Sequence, residues 1–61
     1  MSERFKPGEI RLTTWHSGLD RPYRVRAEHL ETGAFAMATN RSLVRAQRSA
    51  EDRLAAILRA R

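Results

Sequence analysis

From Glu9 onward polar and apolar positions alternate. Ile10, Leu12 and Thr14 fall on one side and Arg11, Thr13 and Trp15 on the other, which predicts a strand with an apolar face and a polar-aromatic face. His16 to Pro22 gathers Ser17, Gly18, Asp20 and Pro22, the residue types that reverse a chain. A second alternation follows, with Tyr23, Val25, Ala27 and His29 opposed to Arg24, Arg26, Glu28 and Leu30. Glu31-Thr32-Gly33 is of hairpin length, and Ala34 to Thr39 then sets Phe35 and Met37 against Ala34, Ala36 and Ala38, which predicts a third strand.

The remaining third of the chain changes period. Leu43, Ala46, Gln47, Ala50, Leu54, Ile57 and Leu58 share one side at helical spacing, while Arg41, Arg45, Arg48, Asp52 and Arg59 gather on the other. This predicts one amphipathic helix from about residue 40 to about residue 59, with Thr39 or Asn40 as its N-cap. A rival start exists at Ser49, where Ser49-Ala50-Glu51-Asp52 resembles a capping box, and residues 43 to 48 would then form a fourth strand. The apolar stripe runs through residue 49 without a phase break, which favours the single helix.

The expected fold is therefore α+β, a three-stranded antiparallel sheet packed against one C-terminal helix. Residues 1 to 8, ending in the breaker pair Pro7-Gly8, form a leading arm, and residues 9 to 61 form a single small domain. The helix would cover a sheet face built from Ile10, Leu12, Val25, Ala27, Phe35 and Met37, with Leu54 deeply buried. The opposite face would stay open and display Arg11, Thr13, Trp15, Arg24, Arg26 and Glu28. A register slip of one residue would instead turn Trp15 into the core.

Composition narrows what such a domain can do. With 61 residues the chain holds one small domain, and without cysteine neither a disulfide nor a thiolate-bound metal can staple it. A reducing compartment follows as the expectation, and with no apolar stretch of signal or membrane-spanning length the reading is of a soluble, unprocessed, cytoplasmic protein. Twelve basic against seven acidic residues give a net charge of +5. Lys6 is the sole lysine, and arginine is the type that forks onto phosphates, guanine edges or carboxylates. An open face of arginines, a threonine and a tryptophan has the make-up of a nucleic-acid surface, although a polar sheet face is also ordinary in antiparallel folds. The helix arginines Arg41, Arg45, Arg48 and Arg59 offer a second basic row, read as a solvated outer face in which Arg45 and Arg48 lie within a turn of Glu51 or Asp52.

Three strands followed by one helix, with the segment Tyr23-Arg24-Val25-Arg26, the turn at Thr32-Gly33, and Phe35 leading through Thr39 into the helix, resemble the AP2-like arm-binding domains at the N-termini of phage-type integrases. The similarity spans roughly residues 9 to 58. It implies that the open sheet face lies in the major groove of DNA, with Arg11, Thr13, Trp15, Arg24 and Arg26 as its contacts.

Enzymatic chemistry finds little to build on. His16, Ser17 and Asp20 are triad residue types, but they crowd into one loop, whereas working triads draw from separate segments. His16 and His29 alone do not make a zinc site, the glycines at 8, 18 and 33 are isolated, and so small a body leaves little room for a ligand pocket. Neither a cofactor, a metal nor a small-molecule substrate is expected. The expected function is that of a small DNA-binding accessory or regulatory protein on double-stranded DNA, with a homodimer left open, helped by Arg4 and Lys6 of the arm. The alternative is a small phage-type inhibitor, of the anti-CRISPR kind, that binds a nucleic-acid-binding protein complex, and an RNA-associated or ribosome-associated role stands third.

Overall fold

A computed structural model describes residues 5 to 61. Its element order is β1 (Ile10–Trp15), β2 (Tyr23–His29), β3 (Phe35–Asn40) and α1 (Leu43–Arg59). The strands form one antiparallel sheet in the order β1-β2-β3, so β2 is central and both other strands are edges. This is the α+β, three-strand-plus-helix arrangement that the periodicities predict. Residues 43 to 48 lie in the helix, which removes the fourth-strand alternative.

The helix starts slightly later than its stripe suggests. Ser42 is the N-cap, with its side chain accepting from the Arg45 amide, and neither Thr39 nor Asn40 takes that role because both still belong to β3. Asn40 contributes one step earlier, its Oδ1 accepting from the Ser42 amide at 2.9 Å, a local turn that ends the strand and presents the cap. Arg41 consequently sits ahead of the helix.

Packing corrects one expectation about the core. Val25 and Ala27 are buried, as β2's alternation requires, but their partners across β3 are Ala38 and Ala36. Phe35 and Met37 are not core residues: they lie on the open face, and Phe35 remains 50% exposed. The cause is the hairpin. Gly33 takes a φ of +78°, and the His29 amide donates to the Ala34 carbonyl at 2.7 Å, which sets the register. Directly opposed residues share a face, so once Val25 and Ala27 point inward, Ala36 and Ala38 must follow. The helix meets them with Ala46 and Ala50, so small residues on both sides allow a close approach. Leu54 is fully buried, as expected, whereas Ile57 near the helix end is 40% exposed.

The helix packs on β2 and β3. Ile10 packs at the margin of the core and Leu12, although on the inner face, lies outside the helix's footprint. Phe5 packs there too, its ring 6.3 Å from that of buried His29. His29 is further tied to Thr32 Oγ1 at 2.9 Å and to Glu9 Oε2 at 3.3 Å, so the start of β1 is pinned to the end of β2. Of the arm, Met1 to Arg4 lie outside the described residues. Among the described residues no helix is long and apolar enough to cross a membrane.

Candidate nucleic-acid interface

Strand pairing turns the uncovered face into a grid of three rows. Trp15, Arg24 and Thr39 form the first, Thr13, Arg26 and Met37 the second, and Arg11, Glu28 and Phe35 the third. Neighbours within a row stand about 5 Å apart and successive rows about 7 Å. All five residues expected from the sequence, Arg11, Thr13, Trp15, Arg24 and Arg26, therefore come together on one face, with Glu28 among them. Phe35, Met37 and Thr39 complete it and were missed, because ranking by hydrophobicity assigned the first two to the core. The signal that could have found them is the short turn at Gly33, which sets Ala36 and Ala38 opposite Ala27 and Val25 and so on the same face.

Two features give the grid its shape. The Arg26 guanidinium carbon lies 4.5 Å from the centre of the Phe35 ring, a cation–π contact that holds the charge flat against the sheet. Its Nε is shielded from solvent and has no hydrogen-bond partner. At the other end of the face, Trp15, Ser17, Arg21, Pro22, Arg24, Met37 and Thr39 line a shallow hollow of about 420 Å³. The loop of residues 16 to 22 that forms its wall is braced from beneath. The His16 ring stacks on Tyr23 with centroids 4.0 Å apart, the His16 Nε2 lies 3.0 Å from the Arg21 carbonyl oxygen, and the Arg21 amide donates to the Gly18 carbonyl at 3.0 Å. Those contacts hold Arg21 and Pro22 at the rim.

Other candidates from the sequence lie elsewhere. His16 is engaged as described, Asp20 is exposed in the same loop, and no three potential metal ligands gather anywhere among the described residues. Lys6 lines a groove on the helix side of the sheet with Ile10, Leu12 and Glu51, away from the open face. Arg45, Arg48 and Arg59 are exposed on the helix, on the far side from the grid. Comparison with protein-family models, with curated proteins and with solved structures gave no match.

Proposed function

We propose that this protein binds duplex DNA through the open face of its sheet, as a small accessory or regulatory protein that acts by binding and not by catalysis. The observation that carries the reading is the grid itself: three arginines and one glutamate interleaved with Trp15, Phe35 and Met37 on a sheet face that no other element among the described residues covers. Arginines in such an array neutralise phosphates at the rim and fork onto guanine O6 and N7 at the centre. Glu28 can accept from a cytosine amino group, and Met37 or Phe35 can meet a thymine methyl. A net charge of +5 steers the chain to a polyanion. The AP2-like resemblance supports the same docking mode, and a cytoplasmic location, where DNA is reached, goes with it.

A second reading is favoured by one observation. Trp15, Phe35 and Met37 leave a large apolar share on the face, which suits a protein surface as well as a groove. Under it the protein is a phage-type inhibitor occupying the nucleic-acid site of a protein target. Fluorescence anisotropy with a labelled duplex between 0.05 and 0.2 M salt, a range of about fourfold, separates the two. Contact with about three to five phosphates gives a slope of log affinity against log salt near −3 to −5. Arg24→Ala and Arg26→Ala each lower its magnitude by about one, and the double variant loses measurable binding near 0.1 M salt with its circular dichroism unchanged. Equal binding by parent and double variant, or none at low salt, removes the DNA reading and leaves the inhibitor.

A further inference from the structure

The fold treats its two sheet edges differently. On β2 the His29 amide donates to Ala34, and hydrogen-bonded pairs alternate along an antiparallel ladder, so the free backbone groups of β3 belong to Phe35, Met37 and Thr39. Arg53 reaches over from the helix and donates from Nη1 to the Met37 carbonyl at 2.7 Å. A long charged side chain laid across an edge is a standard way of closing it to further strands. On β1 the Leu30 amide donates to the Glu9 carbonyl at 3.1 Å, which turns the backbone groups of Arg11, Thr13 and Trp15 toward β2 and those of Ile10, Leu12 and Thr14 outward. Arg53 has no counterpart on this side: the side-chain hydrogen bonds nearest to it, from the Lys6 amide to Glu9 and between Glu9 and His29, stop ahead of the outward groups of Ile10, Leu12 and Thr14. Leu12, whose side chain falls outside the helix's footprint, is 37% exposed there beside a groove lined by Phe5, Ile10 and Glu51.

We propose that the open edge of β1 pairs with β1 of a second copy, antiparallel about a two-fold axis through Leu12, to form a continuous six-stranded sheet. The register follows from charge and parity. With Leu12 opposite Leu12, Ile10 faces Thr14 in both directions, so all three outward residues of each copy are paired at once. On the open face Arg11 then stands opposite Thr13. A slip of two residues one way sets Arg11 directly against Arg11 of the other copy, a like-charge pair that destabilises a ladder. The slip the other way leaves Ile10 beyond the end of the partner strand. The axis is perpendicular to the sheet, so both helices lie on one side and the two arginine grids join into one surface. This pairing is independent of what that surface binds.

The cysteine-free chain makes the axis directly measurable. Across a hydrogen-bonded pair the Cα atoms are about 5.5 Å apart, inside disulfide range, whereas Thr14 and its copy would be about 14 Å apart, far outside it. On mild oxidation without DNA, Leu12→Cys crosslinks to a covalent dimer, Ile10→Cys and Thr14→Cys each remain monomeric alone, and an equimolar mixture of those two crosslinks. The parent sediments at twice 7.0 kDa, and Thr14→Pro, which removes an outward amide without touching the β1–β2 ladder, returns it to 7.0 kDa. Two bodies of +5 repel, so the dimer tightens as salt is raised, opposite in sign to DNA binding. A parent that is monomeric at every salt and concentration, with Leu12→Cys crosslinking no faster than Thr14→Cys, overturns the proposal. Crosslinking between Leu12→Cys and Thr14→Cys in preference to Leu12→Cys with itself overturns the register.

Discussion

Leu54→Ala is the substitution that tests the alanine-layer core most directly. Leu54 and Val25 are the largest side chains closed off completely, and the rest of the buried cluster is Ala27, Ala34, Ala36, Ala38, Ala46 and Ala50, with Phe5, Ile10, Tyr23, Leu43 and Leu58 packed at its margin. Removing the leucine's three outer carbons forfeits about 2 kcal/mol of transfer energy at about 0.8 per methylene, to which a cavity term adds. The buried alanines have no rotamers with which to fill the space and only the marginal side chains can move toward it, so the total comes to about 3 to 4 kcal/mol. A chain of 61 residues at about 0.05 to 0.15 kcal/mol per residue has about 3 to 9 kcal/mol in all. Far-ultraviolet circular dichroism on heating and in urea should therefore find the variant at least about 12 °C less stable, or unfolded at room temperature. Phe35→Ala is the contrast. Half exposed on the open face, Phe35 should cost no more than about 1.5 kcal/mol, mainly the contact with Arg26 and part of its apolar area. Were β3 turned the other way, the same substitution would empty the core and cost about 3 to 5 kcal/mol. A Leu54→Ala melt within a few degrees of the parent, or a Phe35→Ala loss equal to it, refutes the packing described.

The link between β1 and β2 should respond to acid. Glu9 accepts from the Lys6 amide at 2.8 Å and lies against His29, and these contacts, the amide first, hold its carboxyl below the ordinary 4.5. A depressed carboxyl contributes stability that is present above the unfolded value and is lost as pH falls through the folded one, so the urea midpoint should drop once pH passes below 4.5, and Glu9→Gln should flatten that drop. At the hairpin, Gly33 holds a φ of +78° with open space where a Cβ would stand, so Gly33→Ala should cost about 1 kcal/mol through the backbone alone and lower the melting temperature by about 4 to 8 °C. An unchanged melt would mean that the left-handed turn is not what sets the β2–β3 register.

Periodicity carried most of the fold because each element keeps a clean phase. The two-residue alternation from Tyr23 to His29 and the helical stripe through Ala46, Ala50 and Leu54 each point to one conformation and one buried side, whereas the alternation from Ile10 to Trp15 gives the strand but buries none of its residues, because β1 lies at the edge beyond the helix. β3 was harder. Its alternation was visible, but alternation gives two faces without saying which is inner, and hydrophobicity favours Phe35 and Met37 over alanine. The decision belongs to partners distant in sequence: Val25 and Ala27 across the ladder, and a helix whose own small residues close the gap. The N-cap was blurred for a related reason, since Thr39, Asn40 and Ser42 are all capping types and only the end of the β2–β3 ladder selects Ser42.

The same inversion that thins the core enriches the open face. Every large side chain that β3 turns outward is one the helix does not bury, so the domain is left with a core of Leu54, Val25 and six alanines, margined by a few larger side chains, and an aromatic, arginine-bearing surface facing away. A body this marginal gains disproportionately from whatever engages it, since a ligand that binds only the folded state at one hundred times its dissociation constant adds about 2.7 kcal/mol. That is close to what Leu54 supplies. Pairing through β1 and binding through the grid draw on different groups, outward backbone amides and carbonyls in one case and side chains above the sheet in the other, so neither competes with the other for contacts. They do couple through charge: a polyanion laid across both grids removes the repulsion between two bodies of +5, so DNA and dimer should each strengthen the other.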